Sequence, residues 1–145
     1  MKRRSFLARS IAAAFFVLLR PSQVIAAWNA KHFQQIPIEK AFIEVLGTAD
    51  MVRTDRIVIT VPEVASDSSA VPVAIDSDLK GEAIYLFVEK NITPLAFSCY
   101  LHEGVLPAFS LNIKMKESSL LYAVVKESGK YYMASVQVTV SAQAC

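Results

Sequence analysis

Few side chains in this chain are placed to do chemistry, and the most accessible of them is a thiol. There are two cysteines, Cys99 and Cys145, and Cys145 is the last residue of the sequence. The two histidines, His32 and His102, stand in metal-ligand spacing neither with each other nor with a cysteine. His102-Glu103 is a dipeptide that reads as a solvated turn. The sequence has no glycine-rich phosphate loop, no G-x-S-x-G elbow and no paired-carboxylate signature. Asn91-Ile92-Thr93 matches a glycosylation acceptor, but Pro94 follows it and the leader is bacterial in style. Residue types therefore argue against an enzyme and leave the thiols as the candidates, with no cofactor or metal implied.

The two thiols sit in different contexts. Cys99 falls on the same face of a predicted strand as Phe97 and Leu101, where a cysteine reads as a small buried hydrophobe. Cys145 follows the last alternating residues, Val136, Val138 and Val140, by way of Ser141-Ala142-Gln143-Ala144. Five residues of extended chain reach roughly 16–18 Å, enough to carry a thiol into a partner's cleft while the body stays outside. The reactive form is the thiolate, with a free pKa of about 8.5. A neighbouring terminal carboxylate should raise that value, giving less thiolate at neutral pH but a stronger nucleophile once ionised. In an oxidising compartment a disulfide between Cys99 and Cys145 is the rival use of both residues.

Lys2, Arg3 and Arg4 open the chain, followed by a short apolar run at residues 11–19 and by small residues at Ala26 and Ala27. This pattern predicts a removed signal over residues 1–27, because the apolar run falls short of the roughly 20 residues that span a bilayer. Arg3-Arg4-Ser5-Phe6-Leu7 favours the twin-arginine route and a periplasmic destination. Five basic residues leave with that segment. What remains carries ten Lys and Arg against thirteen Asp and Glu, a net charge of −3. Nothing in that balance favours a nucleic-acid partner.

Residues 28–140 read as one domain and 141–145 as a C-terminal arm. Residues 28–35 look like a lead-in. Pro37 then opens a short amphipathic helix in which Ile38, Ala41, Phe42, Val45 and Leu46 share a face and Gly47 caps the end. From residue 56 onward the period changes to that of strands, expected at 56–61, 71–76, 83–89, 95–101, 109–116, 120–126 and 131–140. Leu95, Phe97, Cys99 and Leu101 alternate with Ala96, Ser98, Tyr100 and His102. Phe109, Leu111, Ile113 and Met115 alternate with Ser110, Asn112, Lys114 and Lys116. Turn chemistry falls between these runs, as in Ser66-Asp67-Ser68-Ser69, Asp78-Leu79-Lys80-Gly81 and Glu127-Ser128-Gly129-Lys130. The expected fold is all-β, an immunoglobulin-like antiparallel β-sandwich with one short N-terminal helix. Pro62 and Pro72 mark strand ends and edges that are not used for pairing.

Several segments resemble the SoxY family of sulfur carriers in thiosulfate oxidation. They are Pro62-Glu63-Val64-Ala65, Ala70-Val71-Pro72-Val73, Glu89-Lys90-Asn91-Ile92-Thr93-Pro94-Leu95-Ala96, residues 119–125, Gly129-Lys130-Tyr131-Tyr132 and Val138-Thr139-Val140. The resemblance implies a carrier rather than an enzyme, paired with a SoxZ-like subunit in a heterodimer. It implies Cys145 as the covalent attachment point for sulfur. A SoxAX-like c-type cytochrome would conjugate thiosulfate to it and a SoxB-like hydrolase would release sulfate. The family's usual arm is Gly-Gly-Cys-Gly-Gly directly after the last strand. Here the strand is followed by Ser141-Ala142-Gln143-Ala144-Cys145, a stiffer and bulkier arm with no flanking glycine. Two further readings stay open at this stage: a SoxY-like subunit whose Cys145 is vestigial or bonded to Cys99, and an unrelated periplasmic enzyme.

Overall fold

The computed structural model describes residues 36–141. The expected signal segment, the lead-in, His32 and Cys145 lie outside the described residues. Among the described residues, one helix and nine strands follow one another: α1 (Ile38–Leu46), β1 (Val52–Arg53), β2 (Ile57–Thr60), β3 (Val64–Ala65), β4 (Val71–Ser77), β5 (Ala83–Val88), β6 (Leu95–Tyr100), β7 (Phe109–Ile113), β8 (Ser119–Glu127) and β9 (Lys130–Val140). The larger sheet has the order β1-β9-β8-β5-β6, with β3 also paired to β9, and the smaller has the order β2-β4-β7.

Alternation along the strands builds the sandwich. Ile84, Leu86 and Val88 of β5 and Leu121, Ala123 and Val125 of β8 face the small sheet, meeting Val71, Val73 and Ile75 of β4. The alternate residues at the middle of the same strands are covered as well. Ala83, Tyr85, Phe87 and Val124 pack under α1, against Ile38, Ala41, Phe42 and Leu46. The protein is thus three layers deep, with helix, large sheet and small sheet stacked in that order, and β5 is buried along its whole length. Burying one such large apolar side chain contributes roughly 1.5–3 kcal/mol. The Phe42 ring adds edge-on contacts to Phe87 at 5.0 Å and Tyr122 at 5.5 Å between centroids.

Local sequence accounts for α1. The Pro37 carbonyl accepts the first helical bond from the Ala41 amide at 3.0 Å. At the other end Gly47, at φ 78°, donates to the Ile43 carbonyl. Glu39 and Lys40 are exposed as the pattern predicts. Burial under the helix, with the Tyr100 and Tyr131 phenols nearby, pushes the Tyr85 hydroxyl well above the usual tyrosine range.

Two expectations need correction. A register shift between Leu86 and Phe87 pairs these residues with Phe97 and Leu95, leaving Ala96 as an extra residue in β6. Leu95 therefore turns to the helix side, while Ala96 joins Phe97, Cys99 and Leu101 on the sandwich side. Simple alternation cannot foresee a bulge. Cys99 does face the sandwich, but it is half-buried rather than buried, because the three-stranded sheet is too narrow to cover the edge strand β6. Pro72 behaves as expected, as the second residue of β4 beside an unpaired edge. It is tolerated because β2 ends at the pair Thr60 and Ala74, so β4 has an open side at Pro72.

Not every pairing is antiparallel. β1 and β3 both run parallel to β9, at Val52 with Tyr132 and at Val64 with Thr139. Since β8 holds one edge of β9 from Lys130 to Val138, these two-residue strands share the other edge, one near each end. The chain between them crosses to the small sheet and back to form β2.

Candidate functional site

The end of β9 is the last described stretch before Cys145, and its construction fixes where the chain leaves the sandwich. The backbone ladder between β8 and β9 runs from Glu127 with Lys130 to Ser119 with Val138. β9 continues two residues further, so Thr139 and Val140 have no β8 backbone partners in the ladder. Other groups take over. The Ser118 hydroxyl accepts a hydrogen bond from the Val140 amide at 2.9 Å and donates to the Val140 carbonyl at 3.4 Å. On the opposite edge the Thr139 amide donates to the Glu63 carbonyl at 3.3 Å. The Ser141 amide and hydroxyl both donate to the Ala65 carbonyl, at 3.0 and 3.2 Å. Ser141, read from the sequence as the first residue of the arm, is thus tied to β3.

The segments that hold this end are themselves cross-linked. Asn91 donates from Nδ2 to the Lys114 carbonyl at 2.7 Å and accepts at Oδ1 from the Lys116 amide at 2.9 Å. The Ser119 hydroxyl, almost fully buried, accepts from the Lys90 amide at 3.3 Å and donates to the Leu120 carbonyl. The Met115 amide reaches across to the Ser68 carbonyl at 2.9 Å. Beyond β3, Asp67 accepts from the Ser69 amide at 2.8 Å and hydroxyl at 2.6 Å. These bonds hold its carboxyl below the ordinary carboxylate range. Residues 63–69, 89–91, 114–119 and 139–141 therefore form one hydrogen-bonded end of the sandwich, from which the chain leaves toward Cys145.

Cys145 itself lies outside the described residues, so its thiol is not placed here. Cys99 is remote in kind as well as in sequence: it lies on the edge strand β6, with its Sγ 3.4 Å from the Tyr100 carbonyl oxygen. His102 is exposed and opens the turn closed by the Val105 amide on its carbonyl, with Gly104 at φ 83°. Among the described residues no three His, Cys, Asp or Glu side chains come together as a metal cluster would require. A shallow groove crosses the outer face of the small sheet between Thr60, Pro72, Ala74, Ser110 and Asn112. It is lined by no ionisable side chain. No helix among the described residues is long and apolar enough to cross a membrane.

Sequence reasoning found the strand that ends in the arm but not the roles of Ser118, Ala65 and Glu63, which hold that strand in place. Glu63 and Ala65 stood in a segment that carries the family resemblance, yet their contacts reach across too much chain for any local pattern to reveal, and nothing local marks Ser118. Asn91 was visible as part of one of the segments that carry the family resemblance. Its role is to staple backbone, not to react.

Comparison with known proteins bears on the same stretch. The family of the sulfur oxidation protein SoxY matches residues 43–145, a span that includes the whole sandwich, the arm and Cys145. No curated protein sequence matches the chain. Among solved structures, the sulfur carrier protein SoxY from Chlorobium limicola f thiosulfatophilum is similar at a TM-score of 0.65 and 28% sequence identity. The match covers 71% of this chain and 94% of that one. With the sandwich, its long terminal strand and the arm all inside the matched span, this chain belongs to the SoxY family of sulfur oxidation proteins.

Proposed function

We propose that this protein is a periplasmic sulfur carrier that holds its cargo covalently on Cys145. The observation that carries the reading is the family match, which runs through the arm to residue 145, on a sandwich whose last strand leads directly to that cysteine. The carrier is not itself a catalyst. Its thiolate attacks at the outer sulfur of thiosulfate, forming Cys–S–S–SO3− and releasing two electrons to a c-type cytochrome of the SoxAX kind. Water then cleaves the sulfonate: Cys–S–S–SO3− and H2O give Cys–S–S−, sulfate and two protons, with a SoxB-like hydrolase as catalyst. Because the remaining sulfur never leaves the protein, its effective concentration at each successive enzyme stays high. A SoxZ-like subunit is the proposed partner, forming a heterodimer, and export follows the twin-arginine route read in the leader.

A second reading has one observation in its favour. The arm Ser141-Ala142-Gln143-Ala144-Cys145 contains no glycine, so a channel shaped for a glycine arm would admit it poorly. On that reading the protein is a SoxY-like subunit without cargo, its Cys145 idle or bonded to Cys99.

Intact-mass measurement on protein exported to the periplasm and purified without reductant separates the two. The carrier reading predicts a reductant-labile gain of sulfur or thiosulfate units that disappears in Cys145→Ser. A mass two hydrogens light, restored by reduction and mapped to Cys99 and Cys145, would establish the second reading instead.

A further inference from the structure

We infer that Ser118 and β3 form a two-sided clamp that fixes the root of the arm at Val140 and Ser141. This deepens the carrier reading and rests on it for its biological use. The observations are the replacement of the missing ladder at Val140 by one hydroxyl that both accepts and donates, and the double bond of Ser141 to the Ala65 carbonyl on the other edge. A strand end held on one edge can swing about that edge. Held on both, it has one direction. The clamp is itself supported, since Asn91 pins the backbone at Lys114 and Lys116, just ahead of Ser118.

The clamp shortens the arm. Cys145 follows Ser141 by four residues, so its backbone can stand at most about 13–14 Å from the Ser141 Cα. Any enzyme that acts on the thiol must bring its reacting group within that distance of the sandwich end formed by residues 63–69, 89–91 and 114–119. Ser118 is on this account a positioning residue. It never touches the cargo, and it fixes the origin from which the cargo is offered.

The test uses the mature chain with Cys99→Ala and a nitroxide on Cys145, compared with the same protein carrying Ser118→Ala or Ser118→Thr. Losing the hydroxyl should speed exchange of the Val140 and Ser141 amides by roughly five- to tenfold, the size expected for one net hydrogen bond. Exchange at Leu121 and Val136 should stay as it was. The nitroxide should become more mobile in Ser118→Ala and return to its original mobility in Ser118→Thr. In unlabelled protein, enzymatic loading of thiosulfate onto Cys145 should slow several-fold in Ser118→Ala. Alkylation by iodoacetamide, a small reagent that requires no presentation, should not change. Equal exchange and equal nitroxide mobility in all three proteins would overturn the clamp. So would loading and alkylation that slow together, since that pattern means a changed thiol rather than a changed position. Should the parent protein take up no sulfur at all, the carrier reading fails, and the exchange and nitroxide results alone decide the clamp.

Discussion

The two ends of β9 are held by opposite means. At its start the strand is joined to β8 through Ser128 and Gly129, at φ 50° and 74°, a two-residue turn of the type that matches the twist of a hairpin. Everything needed there lies within four consecutive residues. At its finish the strand outruns its partner and is held by Ser118, 22 residues away, and by Ala65, 76 residues from Ser141. The closed end can form early and alone. The arm end can be completed only after the chain has crossed both sheets, because its partners come from two segments far apart in the chain, 63–65 and Ser118. On the proposed carrier reading such an end has a use: the strand stops being sheet where the arm begins, and the place where it stops is still fixed.

Substitutions can test that contrast, and the expected effects differ in size and in reach. The largest is Leu121→Ala in the middle of the hairpin, where a fully buried side chain faces the small sheet opposite Val136. A loss of about 2–5 kcal/mol is expected, and denaturant unfolding should show both ends of β9 weakened together. Gly129→Val acts at the closed end. Forcing a β-branched residue into the left-handed region costs about 1–2 kcal/mol, so the melting temperature should fall while sulfur loading at Cys145 in the folded protein stays normal. Ser118→Ala is smaller still in global stability, about 1 kcal/mol or less, yet it should be the one of the three that changes presentation of the thiol. Smallest is the effect of acid on the turn after β3. The Asp67 carboxyl is held below its ordinary value of 3.8 by its bonds from Ser69. Its contribution is therefore present above pH 3.8 and lost as pH falls through the depressed folded value. Following Asp67 by NMR through an acid titration should show that low midpoint, and Asp67→Asn should remove the associated acid dependence of β3.

The same contrast explains what could be read from the sequence. The helix was legible because Ile38, Ala41, Phe42, Val45 and Leu46 carry its period and Pro37 and Gly47 its ends. The long strands were legible for the same kind of reason, as were the Asp67 and Gly129 turns. What could not be read is whatever depends on distant chain. Val52 and Val64 belong to strands of two residues, too short for any period, and exist only because β9 offers an unfilled edge. The bulge at Ala96 inverts one residue, Leu95, with no change in the apolar pattern. Cys99 looks buried in its strand and is half-exposed because the opposing sheet has three strands and the sheet it lies on has more. Gly81 shows the same limit at a single atom. A Cβ there would stand 2.9 Å from Pro107 Cγ and 3.0 Å from Val125 Cγ1, a crowding that its turn sequence does not announce.

The parallel pairing of β3 with the end of β9 also has a mechanical side. On the proposed carrier reading, an enzyme that gripped Cys145 would pull on β9 along its own axis, through Ser141. Lateral hydrogen bonds on both edges of a strand pulled lengthwise are strained in shear, all at once, and not peeled apart in sequence. The load passes through Ser141 to Ala65 and through Val140 to Ser118 before it reaches the hairpin. A strap of two residues on one side and a single hydroxyl on the other thus act as strain relief, of the kind fitted where a cable enters its housing.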